Sequence, residues 1–248
     1  MNDAHPRNAK GLFLLGLMLA LGLILSSLVG ARSIVKVKLA NQTVRVKGFA
    51  ERGITSDWAV WVGSFSVRAP GLVEASEALE GDLARVQAFL ERARVPKDAV
   101  SVSSVDIRVT YRKTDRGAAT NEIEGYVLAQ SVSVSTADVA LVARVSQQSA
   151  SLIKEGVEFR SGAPEYFYTK LDDLKIEMLG EATQDARRRA EQIAVNSGAK
   201  VGAVRSAAQG VFQITPAYST RVSDYGVNDT STIAKSVKAI VTLEYAIN

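Results

Sequence analysis

From Gly11 to Ala31 the chain runs for 21 residues without a charge: GLFLLGLMLALGLILSSLVGA. This stretch constrains the fold more than any other. A helix rises about 1.5 Å per residue, so about 20 apolar residues cross the roughly 30 Å hydrocarbon core of a bilayer. A run apolar on every side finds no place on the surface of a water-soluble domain. The sequence after Arg32 mixes charge and apolar residues as such a domain does.

Two readings of the run compete. Arg7 and Lys10 give it a basic flank and Val29-Gly30-Ala31 an acceptable cleavage triplet, as in a secretory signal. Yet signal cores are usually about 7–15 residues long, and this one is longer. Length therefore favours an uncleaved, single-pass anchor. The chain then divides into a cytoplasmic N-terminus (1–10), a transmembrane helix (11–31), a linker (32–41) and a domain (42–248). Arg32, Lys36 and Lys38 outnumber Arg7 and Lys10, and that count alone puts the domain on the cytoplasmic side. The count carries least weight for long translocated domains. Gly22, Ser26 and Gly30 repeat every four residues. They are either a close-packing face between membrane helices or the ordinary small-residue content of such helices.

The rest of the chain excludes much chemistry. It has no cysteine, hence no disulfide and no thiolate site. Its one histidine, His5, precedes the apolar run, so the domain has no imidazole for a triad or a zinc site. The net charge of +4 is small and both signs are interspersed, which argues against a nucleic-acid partner. Arg187-Arg188-Arg189 is flanked by Asp185 and Glu191. This predicts a solvated, salt-bridged helix face rather than a phosphate or anionic-lipid site.

Strand and helix periods alternate through the domain. Strands are expected at 43–47 (Val44 and Val46 in phase) and 58–67 (Trp61, Phe65 and Val67 in phase). Trp58 and Trp61 then face opposite sides. A helix follows over 72–94 with Leu79, Leu83, Val86 and Leu90 inward, closed by Pro96. A strand over 105–111 has one wet face, and a polar loop (112–120) joins it to a strand over 123–135. Thr136 is expected to cap a helix over 137–155, with Val139, Val142 and Ile153 inward and Gly156 as its stop. After a short strand (157–159) comes a helix over 171–196, with Leu174, Met178, Ala182, Ala186 and Ile193 in period and Gly198 at its end. Strands over 201–214 and 236–247 finish the domain. The polar connection 216–232 between them is long for a hairpin. It is either a mobile loop or an oligomer or partner contact, with Tyr218, Asp224, Tyr225, Asn228 and Asp229 as the candidate residues.

The phrases VRVKGFAERGITSDWAVWVGSFSV (44–67), ALEGDLARVQAFLERARVPKDAVSVSSVDI (78–107), EGYVLAQSVSVSTADVALVARV (124–145) and ARRRAEQIAVNSGAKVGAV (186–204) occur in that order. Together they resemble the SIMPL-domain family, the YggE-like proteins of bacterial envelopes, and the resemblance covers almost all of 42–247. QGVFQI and DYGVNDTSTIAKSV look like its membrane-anchored branch. The resemblance implies an α+β fold in which an N-terminal transmembrane helix precedes an antiparallel sheet packed by helices. It also implies homo-oligomers, ring-like in part of the family, on the outer side of the inner membrane, and a general link to envelope integrity and oxidative stress. It carries no catalytic residues.

Three Ser-x-x-Lys pairs occur, Ser33/Lys36, Ser151/Lys154 and Ser197/Lys200. Only Ser151/Lys154 falls within an expected helix of the domain, where a serine-lysine acyl enzyme needs it. The companion Ser-Asp-Asn and Lys-Thr-Gly motifs are missing. Asp224, Asn228 and Asp229 are oxygen donors without EF-hand spacing, and read as turn residues rather than a cation site. No cofactor or metal is expected. The expected partners are the bilayer, further copies of the chain and, as an alternative, another membrane protein recruited by a scaffold. The expected function is therefore a non-enzymatic envelope protein that assembles on the membrane, with a serine-lysine hydrolase as the remote rival.

Overall fold

The computed structural model describes the backbone of residues 7–40 and 42–247, and the side chains of 11–31, 42–118 and 120–247. His5 and most of the expected N-terminal segment lie outside the described residues, as do the side chains of Ser33 and Lys36. Helix α1 (Arg7–Ala40) is followed by β1 (Thr43–Thr55), β2 (Trp58–Ala69), α2 (Leu72–Arg92), β3 (Val100–Val102), β4 (Asp106–Lys113) and β5 (Ala119–Thr136). Then come α3 (Val139–Gln148), the single turn α4 (Ser151–Lys154), β6 (Phe159–Ser161), β7 (Glu165–Phe167) and α5 (Leu171–Asn196). The chain ends with β8 (Val201–Gln209), β9 (Gln213–Pro216), β10 (Val227–Asn228) and β11 (Ala234–Ile247). This is an α+β protein with an N-terminal apolar helix. The registers among the described residues are antiparallel apart from the two-residue pairing of β10 with β9. It forms two compact units, Glu51–Met178 with Val211–Ala239, and the chain up to Ala50 with Leu179–Gly210 and 240–248.

In the first of these, a sheet of order β3-β5-β2-β6 carries β4 beside β5 and β7 beside β2. The register sets Trp61 opposite Val134 and Phe65 opposite Gln130. Side chains alternate across a sheet, so Trp61, Phe65, Val132 and Val134 share the face that α2 and α3 cover. Trp58, an odd number of residues from Trp61, emerges on the other face and donates its indole N–H to Ser135 Oγ at 2.9 Å. Leu79, Val86, Phe89 and Leu90 on α2 and Leu141, Val142 and Val145 on α3 complete one core. Gly63 is required there, because a Cβ would stand 2.2 Å from the Phe159 ring, which packs against Trp61.

The expected helix over 137–155 is broken. Ser149 Oγ donates to the Ser146 carbonyl at 2.7 Å, and the chain restarts as α4. Leu152 continues the buried stripe of Val142, Val145 and Ser149, and Ile153, expected inward, lies one residue off that stripe and is exposed. The cap is Asp138 rather than Thr136, its carboxylate accepting from the Leu141 N–H at 2.8 Å. Gly156 does stop the segment, at φ +87°. The expected strand over 201–214 is two strands with a break at 210–212.

In the other unit, the start of β1 and β8 lie on either side of the end of β11. The buried stripe of α5 here is Ala182, Ala186, Ala190 and Ala194; Ile193, expected inward, is half-exposed. Small residues let the helix sit close to β1. At Gly48 a Cβ would meet the Ala182 carbonyl at 1.9 Å and the Ala186 nitrogen at 2.6 Å. The apolar stretch of α1, Gly11–Ala31, has no residue buried against protein. It is therefore not a core helix, and Gly22, Ser26 and Gly30 lie along it without a neighbour from the described residues at either glycine.

Candidate interaction surfaces

β5 outruns its neighbour. Its pairing with β2 stops at Tyr126, opposite Ala69, so residues 119–125 are held by β4 alone. β4 and this part of β5 form a two-stranded arm. Ile107, Val109 and Tyr111 on β4 align with Leu128, Tyr126 and Ile123 on β5. Leu128 and Tyr126 reach the core, but α2 and α3 lie over β2 and β5 and leave β4 bare. Ile107 and Ile123 are each 52% exposed and Tyr111 45%. The expected one wet face on 105–111 is thus two: seven of the eight residues of β4 are exposed. A two-stranded ribbon is marginal in water by itself, and this one presents its apolar side to solvent.

The connection 216–232 is built, not slack. Gln213, itself buried, donates through its amide to the Ser223 carbonyl at 2.6 Å and accepts from the Ser223 N–H at 3.2 Å. Lys238 Nζ donates to the Ser219 carbonyl at 2.9 Å. At the far end Asp229 accepts from the N–H and hydroxyl groups of Ser231 and Thr232, and from Lys235 Nζ at 3.3 Å. Burial alone pushes the Asp229 carboxyl up; these hydroxyl and amide donors, with the Lys235 charge, outweigh it and hold it below the carboxylate range. Burial pushes Lys235 down, and the Asp229 charge opposes that. Lys235 is only 3% exposed. Asp229, a candidate contact residue, is therefore turned inward as the lock of the loop. Tyr218 and Tyr225 stand fully in solvent with Val222, while Asp224 and Asn228 are exposed beside them. Tyr218 has φ +64°, a left-handed conformation costly for a residue with a bulky side chain.

The other sequence candidates do not converge. Ser151 and Lys154 share the turn α4 and an open groove with Arg92 and Glu155, with no hydrogen bond between them among the described residues. The Ser197 hydroxyl is spent on the Ile193 carbonyl at 2.8 Å. Among the described residues no three His, Cys, Asp or Glu side chains gather as a metal set. Arg187 pairs with Glu191 at 2.9 Å and Arg189 with Asp185 at 2.7 Å, the salt-bridged face expected of that cluster. Sequence reasoning missed the arm, Lys235 and Gln213. The overrun of β5 had no local signal, while Asp229 followed by Ser231-Thr232 is a recognisable side-chain turn.

The SIMPL family model, described as "Protein of unknown function (DUF541)", matches residues 44–245. No curated protein matches the chain. The match spans nearly the whole α+β domain and every surface described above, and the chain belongs to the SIMPL family.

Proposed function

We propose that this is a non-enzymatic, single-pass membrane protein of the bacterial envelope whose SIMPL domain assembles into a large ring- or cage-like homo-oligomer. The observation that carries the reading is the bare arm. Full burial of a side chain such as Ile or Tyr contributes roughly 1.5–3 kcal/mol, and Ile107, Tyr111 and Ile123 each leave about half of that unrealised in a single chain. Helix α1 supports the anchor, being 34 residues long and bare over its apolar 21. Confinement to a membrane raises the effective concentration of copies, so weak contacts suffice. The domain faces the extracytoplasmic side of the inner membrane in this reading, and serves envelope integrity there. The test is the native mass of the full chain in mild detergent at micromolar concentration. Assembly predicts a particle of many subunits; a strictly monomeric particle sinks the proposal.

A second reading, a scaffold that recruits another membrane protein, is favoured by one observation. The loop 216–232 is pinned at both ends and displays Tyr218 and Tyr225 outward. Replacing Tyr218, Val222 and Tyr225 by serine separates the two. If particle mass is kept while a co-purifying membrane protein is lost, the loop serves the scaffold role.

A further inference from the structure

β1 ends its sheet, and its N-terminal half has an open edge. Ile247 N–H donates to the Gln42 carbonyl, so even-numbered residues of this stretch turn their backbone groups to β11. Phe49 N–H donates instead to Asp185 of α5 at 3.0 Å, so odd-numbered residues turn theirs away from β11. Arg45 and Lys47 therefore point their N–H and C=O groups into the space between β1 and α5. That space is an open groove of about 780 Å³ lined by Arg45, Lys47, Arg188, Arg189 and Gln192, with Glu191 as its one carboxylate. Asp185 neutralises only part of the charge of Arg188 and Arg189, while Arg45 pairs with Glu244 at 2.9 Å. Lys47 has no ionic partner among the described residues. The Phe49–Asp185 bond shows how the edge is satisfied where the helix reaches it; the outward N–H groups of Arg45 and Lys47 have no such partner among the described residues.

The same chain carries a second open edge of opposite charge. Residues 119–124 of β5 have lost β2 as a neighbour; Glu122 and Ile123 turn to opposite faces there, and Glu124 is the extra residue of a bulge between Ile123 and Gly125. Glu124 has no ionic partner among the described residues, and Glu122 reaches only Arg112 at 3.8 Å. Laid along β1, a strand of this pattern sets Glu122 beside Arg45 and Lys47 on the outer face of the sheet, with Glu124 next to it at the bulge. Ile123 then falls on the side of α5, where Ile193 is half-exposed. Opposite charges set side by side on neighbouring strands stabilise the pair, and added strands gain main-chain hydrogen bonds along an exposed edge.

We propose that the groove between β1 and α5 accepts the β4–β5 arm of a second copy of this chain, which adds β5 residues 119–124 as a strand beside Arg45–Phe49. This rests on the self-assembly reading and names its contact. Donor and acceptor are different surfaces, so the contact is heterologous and passes from copy to copy instead of closing as a two-fold dimer.

The chain has no cysteine, so introduced thiols are the only ones present. Full-length chains carrying Lys47→Cys and Glu122→Cys are mixed in mild detergent with a short bismaleimide. The expected result is a linked dimer from the mixture, little from either variant alone, and a ladder when both changes share one chain. Independently, Glu122→Lys with Glu124→Lys, both at exposed positions, weakens assembly at least tenfold by native mass. Lys47→Glu on the same chain restores a substantial part of it. Raising the salt to about 0.5 M weakens the wild-type contact, since exposed charges are screened. An assembled particle with no cross-link and no response to charge reversal overturns this contact and leaves self-assembly standing. A monomeric particle overturns both.

Discussion

Two residues, Gly48 and Arg94, set local geometry that the rest of the fold cannot avoid. Gly48 lies where α5 comes closest to β1, and the atoms a Cβ would strike belong to backbone, which cannot turn aside. Gly48→Ala should cost about 3 kcal/mol, the upper end of ordinary overpacking, read as a lowered urea midpoint. Arg94 closes α2 at φ +62°, with its own N–H donating to Glu91 and that of Val95 to Leu90. That is the glycine position of a helix stop. Arg94→Gly should raise stability by about 0.5–1 kcal/mol, visible as a higher melting temperature. The Asp229–Lys235 pair behaves in the opposite way. Lys235→Met leaves a buried carboxylate without its cation and should cost about 3–5 kcal/mol, while Asp229→Leu with Lys235→Met should recover most of the loss. The pH dependence has a definite sign. The Asp229 carboxyl is lowered in the fold, so its contribution is complete above the unfolded value of about 4 and is lost as pH falls through the folded one. Wild type and Asp229→Asn should therefore differ by a constant amount above about pH 4 and converge in stability as pH falls below it, in denaturant titrations at each pH.

At the scale of elements, the arm gives the sharpest expectation. Ile107→Thr with Tyr111→Thr keeps β-propensity and removes apolar surface that no helix covers. The domain should melt within a degree or two of wild type, while the assembled fraction falls in sedimentation. Loss of folding in circular dichroism would mean that the apolar face belongs to the core of the single chain. Elements of this kind differ in how plainly the sequence announces them. The helix at Leu171–Asn196 was legible to its last residue, because a long period, an acidic first turn and Gly198 agree. Trp58 and Trp61 were separable by parity alone. The break between α3 and α4 was not, since a serine bonding back to a carbonyl leaves no trace in hydrophobic period. Nor was the bareness of β4, because alternation says which face is apolar and not whether anything lies on it. The loop 216–232 was visible as a long polar segment, but its inward lock depends on Lys235, a residue whose burial no composition rule expects.

For the whole molecule, the contrast is between a domain rich in side-chain ion pairs on its surface and open backbone at its edges. Natural sheets blunt their edges with charge. Here one edge is basic and another acidic, so the protection against indiscriminate pairing is also a code for one kind of partner. Helix α1 adds a property of another sort. It continues as helix to Ala40, nine residues past the end of its apolar stretch, a length of about 13 Å. Where the apolar stretch spans a bilayer, the surplus is a stiff post instead of a slack leash. A thicker or thinner membrane is then met by tilt or by a change in how far the post emerges. Bilayer thickness then sets how far the free end of the post stands above the headgroups.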